Sequence, residues 1–134
     1  MSVAILLVTH AKLGRDLLTT VTDVMGAPPL TTDVMEVKRV LLTDALLRQG
    51  ERILQRLDSG DGVLILTDAF GSTPSNIANR IAQGRRARVV AGLNLPMLMS
   101  VYNYPALDLD AQARNALASG RDGVVDCQDS SHDA

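Results

Sequence analysis

Two apolar runs in this sequence end in residues that can do chemistry. His10 closes Val3-Ala4-Ile5-Leu6-Leu7-Val8-Thr9, and Thr67-Asp68 closes Val63-Leu64-Ile65-Leu66. Histidine is the side chain most readily poised near neutral pH, and its two ring nitrogens are distinct. A carboxylate on one nitrogen fixes the tautomer and leaves a lone pair on the other. That is the arrangement of a base, or of a nucleophile oriented by a third group. Just past Asp68, Gly71-Ser72-Thr73-Pro74 combines a flexible glycine, two hydroxyls and a helix start. Free N–H groups and the positive end of a helix dipole make such a place an anion site. A nucleophilic imidazole facing an anion site points to phosphoryl transfer through a phosphohistidine. Asp68 then belongs on the nitrogen that is not phosphorylated, because like charges ~4 Å apart cost about 4 kcal/mol at an effective dielectric of 20.

Each of these residues has an ordinary alternative use. A histidine can simply end a strand, an aspartate can serve a turn, and Thr73 can cap a helix. The elements around them decide between the readings. Both apolar runs are too short for a membrane span and read as strands buried on both faces. After His10, Leu13, Leu17, Leu18, Val21 and Val24 or Met25 fall on one helical face, with Gly26 as the stop. Thr31 to Val37 is β-prone, and Val40 to Leu42 reads as an irregular link. Thr43 or Asp44 caps a helix through Leu57, whose Arg48, Arg52 and Arg56 read as a solvated face. A helix with Thr73 as N-cap and Pro74 at its first position runs to a Gly84 stop. Val89 to Gly92 forms a strand and Met97 to Val101 a helix. Asp108 or Asp110 caps a last helix over Ala111–Ala118, ended by Gly120, and Val124-Val125 offers a short further strand.

The order βαβαβαβ with short links predicts an α/β, doubly wound, mainly parallel sheet with helices on both faces. Right-handed crossovers and chain length favour strand order 2-1-3-4. That order puts the ends of strands one and three side by side, so His10 and Asp68 should meet at the ligand-binding edge of the sheet.

Composition removes other classes. The 134 residues suit one domain, and 46% hydrophobic against 21% charged residues is enough for a core. A net charge of −2 and only 2% aromatic residues give no nucleic-acid-binding signature. One cysteine, Cys127, and two histidines, His10 and His132, make neither a disulfide nor a metal site, and no cofactor is expected. The phosphate loop of nucleotide hydrolases, the dinucleotide-binding glycine pattern and the hydrolase serine elbow are all absent. A His–Asp hydrolase therefore lacks its parts. No signal-peptide pattern opens the chain, and a cytoplasmic location is expected. Residues 1–125 form the expected domain, and 126–134 read as a polar, disordered tail in which Cys127 and His132 carry no function.

Three segments together resemble a known family. Leu7-Val8-Thr9-His10, Leu66-Thr67-Asp68-Ala69-Phe70-Gly71-Ser72-Thr73-Pro74-Ser75-Asn76 and Gly92-Leu93-Asn94-Leu95-Pro96-Met97-Leu98 are similar to the mannose-family enzyme IIA of the bacterial sugar phosphotransferase system. The resemblance implies a phosphotransferase component in which His10 takes a phosphoryl group from the phosphocarrier protein HPr and passes it to a IIB component. It implies that Asp68 orients the ring and Thr67 supports the pair, while Gly71, Ser72 and Thr73 hold the phosphoryl oxygens. It also implies a homodimer whose C-terminal strand joins the partner's sheet, with Val124-Val125 in that place. The membrane permease is then an indirect partner that selects the sugar.

The sequence departs from the family pattern at Ala69, Ser72, Thr73 and Ser75. Thr73 keeps a hydroxyl, whereas Ala69 and Ser75 are expected to lessen the apolar surface near the site. The IIB acceptor is expected on a separate chain. The alternative function is a regulatory module whose phosphorylation state controls partner binding, because the added charge can make or break a contact.

Overall fold

A computed structural model describes residues 2–38 and 43–129 of the chain. Its elements are β1 (Ala4–His10), α1 (Leu13–Met25), β2 (Thr32–Val37), α2 (Asp44–Leu57), β3 (Val63–Thr67), α3 (Thr73–Ala82), β4 (Ala87–Ala91), α4 (Leu95–Asn103) and α5 (Leu109–Asp122). The four strands form one parallel sheet in the order β2-β1-β3-β4, as the sequence predicts. The two central strands are the continuous aliphatic runs, because only they are covered on both faces.

Alternation along β1 and β3 divides the core in two. Ile5, Leu7, Leu64 and Leu66 pack under Val21 of α1, Leu98 and Val101 of α4, and Ala113 and Ala116 of α5. Ala4, Leu6, Val8, Val63 and Ile65 pack under Ile53 and Leu54 of α2 and Ile77, Ala78 and Ile81 of α3. Nearly every buried contact is aliphatic. A polar exception is Tyr102, whose hydroxyl lies 2.6 Å from Thr32 Oγ1. Burial pushes its pKa up to about 12, so the phenol stays protonated and available as a donor.

Several boundaries differ from the sequence reading. Thr43 caps α2 by accepting from the Leu46 amide, and Asp108 caps α5 by accepting from Ala111. Gly26 ends α1, as expected. The cap of α3 is Ser72, not Thr73, and its side chain does not bond the helix amides. Helix α4 starts two residues earlier than expected because Asn94 Oδ1 accepts from the Met97 amide. Helix α5 continues through Gly120 to Asp122. A Cβ on Gly120 would lie 2.6 Å from Met97 Cε, so this glycine serves close helix packing rather than a stop. The further strand at Val124-Val125 is not formed. Both residues lie outside any element, and Val124 is 78% exposed. The link at Val40 to Leu42 falls outside the described residues.

The arginine face of α2 is exposed, with Arg56 paired to Asp33 across to β2. Among the described residues, no helix is long and apolar enough to cross a membrane. Leu66→Ala, at a fully buried position, should lower unfolding free energy by about 2–5 kcal/mol. Val24→Ala, on the exposed side of α1, should stay within about 0.5 kcal/mol in the same urea titration.

Candidate functional site

The site is built where β1 and β3 end together. Their ladder runs to Val8 opposite Thr67, so the residues that follow leave the sheet side by side. His10 Nδ1 lies 2.7 Å from Asp68 Oδ2. The same oxygen accepts the His10 backbone N–H at 3.0 Å, and Asp68 Oδ1 accepts the Ala69 N–H at 3.0 Å. The carboxylate is therefore held by backbone from both strand ends before it meets the ring.

These contacts assign the charge state. The Asp68 side chain is only 8% exposed, and burial pushes its pKa up. The hydrogen bonds from the His10 ring and amide and the His10 charge, with Asp68's own backbone bond, together outweigh burial and hold the carboxyl below its ordinary value. An ionised Asp68 accepts only, so Nδ1 carries the proton, and in the neutral ring the lone pair lies on Nε2. The His10 side chain is 42% exposed, and Nε2 has no partner among the described residues.

The loop into α3 follows Asp68 in the chain. His10 continues the row Ala4, Leu6, Val8, which packs against α3, so alternation places its ring on the face where α3 begins. Gly71 adopts φ +81, a left-handed turn that other residues adopt only with strain. The Ser72 amide and hydroxyl both donate to the Ala69 carbonyl, at 3.2 and 2.5 Å, which closes the turn. The amides of Gly71, Thr73 and Ser75 have no acceptor among the described residues. The positive end of the α3 dipole and these N–H groups suit an anion. A group of three or more acidic, histidine or cysteine side chains able to hold a metal is absent among the described residues.

Comparison with known proteins places the chain. Residues 4–116 match the family described as PTS system fructose IIA component, EIIA-man. The chain belongs to the EIIA-man family. It is 30% identical over 127 residues to the PTS system mannose-specific EIIAB component of Escherichia coli strain K12, covering 92% of this chain. The chain spans 39% of that relative's length. Its fold is shared with the mannose/sorbose specific IIA subunit of the phosphotransferase system from Enterococcus faecalis, at TM-score 0.81 and 24% identity over 96% of each chain. A phosphotransferase system component EIIA from Streptococcus agalactiae has the same fold, at TM-score 0.78 and 21% identity over 92% of this chain and 96% of that one.

Within this EIIA-man fold, His10, Asp68 and the loop Gly71–Thr73 stand at one edge, and Thr67 stands beneath them. Thr67 is fully buried, and its hydroxyl has no partner, so it bonds neither His10 nor Asp68. Its carbonyl accepts the Gly92 and Leu93 amides, both at 3.0 Å, joining β3 to the loop after β4. Ser72 has its hydroxyl committed to Ala69, which leaves Thr73 the half-buried hydroxyl at the helix start.

Ser75 does not diminish the apolar surface, because it is 1% exposed and lies under the first turn of α3. The sequence reading did not single out Phe70, which is 87% exposed beside Asp68. A lone aromatic inside a polar turn, in a chain with almost none, was the available signal. Cys127 is exposed and remote from these residues in sequence, and His132 falls outside the described residues.

A lowered Asp68 pKa has a defined consequence for stability. Because folding favours the ionised form, its contribution is complete above the ordinary carboxylate value and fades as pH falls through the lower folded-state value. Wild type should therefore unfold at higher urea than Asp68→Asn at neutral pH, and the difference should narrow below about pH 4. A difference that persists unchanged into strong acid would show that the carboxylate charge is not what stabilises the wild type.

Proposed function

We propose that this protein is a phosphocarrier of a sugar phosphotransferase system, using His10 Nε2 as the nucleophile. The observation that carries this reading is the Nδ1–Asp68 contact at 2.7 Å in a part-exposed His10, which in the neutral ring would leave the lone pair on Nε2. In the forward step the Nε2 lone pair attacks the phosphorus of phospho-HPr. The new N–P bond forms as the donor's N–P bond breaks, and the donor nitrogen keeps that electron pair. The phosphorylated imidazole is cationic with Nδ1 protonated, so an ionised Asp68 stabilises it as it forms. In the second step a nucleophile of a IIB component attacks the phosphorus, the His10 N–P bond breaks and Nε2 keeps that electron pair, passing the group on the way to sugar uptake.

The amides of Gly71, Thr73 and Ser75 and the hydroxyl of Thr73 would hold the phosphoryl oxygens. Ser72 would contribute its hydroxyl only after releasing Ala69. Positioning and charge stabilisation are nearly all that such a transfer needs. Phe70 would supply an apolar anchor for the incoming protein beside the nucleophile. The same reading takes a second copy of the chain as a partner, with the exposed Val124-Val125 segment joining its sheet. No cofactor or metal enters the scheme, and the protein would work in the cytoplasm.

Incubation with phosphoenolpyruvate, enzyme I and HPr should add one phosphoryl group by intact mass, and His10→Ala should abolish it. A wild-type chain that stays unmodified while HPr is phosphorylated would overturn the proposal. Asp68→Asn should slow phosphorylation at saturating donor by at least about tenfold, since its amide no longer fixes the ring tautomer. Phe70→Ala should instead raise KM for phospho-HPr by about tenfold and leave kcat close to wild type.

A further inference from the structure

We infer that Thr9 is a positioning residue for His10: its buried hydroxyl clips the start of α1 to the end of β1 and so fixes the backbone that carries the reactive ring. Thr9 lies on the face of β1 opposite His10. It follows Ile5 and Leu7 in the row that packs under α1, and it is completely buried. It cannot reach a group bound at His10, so any influence must pass through the chain.

The contacts supply that route. Thr9 Oγ1 accepts the Gly14 N–H at 2.8 Å and donates to the His10 carbonyl at 3.3 Å. Lys12, at the cap position of α1, makes no side-chain capping bond. The hydroxyl of Thr9 therefore does the capping from outside the helix, satisfying an amide of the first turn that would otherwise be buried without an acceptor.

The short stretch it closes contains the one non-glycine residue with positive φ among the described residues, Ala11 at +44. Such a conformation persists only where its surroundings impose it. Two constraints do so here. The Ala11 amide is tied to the Val37 carbonyl at 2.9 Å, and Gly14 is drawn onto the strand. A Cβ on Gly14 would stand 3.1 Å from Thr9 Oγ1 and 3.2 Å from Leu7 Cβ, so a side chain there would push the helix start and the strand apart by a few tenths of an ångström. With both ends held, the His10 amide points at Asp68 Oδ2 and the ring meets the same oxygen.

The kinetic part of this inference rests on the phosphocarrier reading, and the structural part does not. Thr9→Val removes the acceptor at constant shape, and Thr9→Ser retains it. Nitrogen NMR of the neutral His10 ring should show one Nδ1-protonated tautomer in wild type and Thr9→Ser, and a mixture in Thr9→Val. With phospho-HPr as the probe, Thr9→Val should lower kcat by about tenfold with KM within about twofold, and Thr9→Ser should recover most of the loss.

Tyr102→Phe, which breaks a hydrogen bond far along the chain, should lower the urea midpoint without moving the tautomer. Should Thr9→Val fail to fold, Gly14→Ala pries the same contact apart and should give the same mixture. A single wild-type tautomer in whichever of these two variants folds would overturn the inference, as would Thr9→Ser behaving like Thr9→Val. If HPr never phosphorylates the wild type, the phosphocarrier reading fails and the NMR result alone decides the role of Thr9.

Discussion

One buried carboxylate organises the working end of this molecule. Asp68 is almost withdrawn from solvent, and an ionised carboxylate there needs donors to offset the lost hydration. It has three: the His10 amide, the His10 ring and the Ala69 amide. Two of the three are backbone groups, so their positions are set by the sheet rather than by side-chain choice. The ring then inherits a partner already fixed in place. The adjacency of β1 and β3 is what makes this possible, and that adjacency is a consequence of strand order rather than of local sequence. A different order would leave the same residues present and the site unmade.

This dependence explains which features are legible in the sequence. Strands β1 and β3 stand out because a strand covered on both faces is written as an uninterrupted aliphatic run. From those runs, the short links and the preference for right-handed crossovers, the meeting of His10 and Asp68 follows without any contact being known. The features that escaped were settled by neighbours distant in the chain. Gly120 reads as a helix stop, but Met97 lies where its side chain would be, and the helix continues past it. Thr73 reads as a cap, yet Ser72 takes the position because the turn closes on the Ala69 carbonyl. Thr9 reads as the last residue of a strand, and its bond to Gly14 depends on how closely α1 returns to the sheet.

Val124-Val125 differs in kind. Two β-branched residues after a helix carry strand propensity, but propensity alone does not provide a partner edge. Within one chain they meet no strand and remain in solvent. Ser75 shows the converse. Its polarity suggested a surface position, but its place in the first turn of α3 turns it toward the sheet, where its hydroxyl finds no partner. Burial in this fold follows the helix face, not the character of the residue.

Hollows and exposed groups are distributed differently at the two ends of the sheet. A cavity of about 490 Å³ lies among Val3, Asp61, Arg86 and Leu107–Asp110, at the end of the sheet away from His10. Its polar groups are already engaged: Asp61 with the Ser2 amide, Arg86 with the Gly60 carbonyl, and Asp108 as a cap. A ligand entering there would have to displace bonds the fold uses. At the other end stand the part-exposed His10 ring, amides without an acceptor among the described residues and an exposed phenylalanine. A small substrate would need walls to hold it in register with Nε2. Under the phosphocarrier reading, a second protein would bring its own reacting group already mounted on a rigid surface, so the receiving site could stay shallow. Under that reading, the rigidity that a pocket would supply comes from behind the His10 ring, where Asp68 lies.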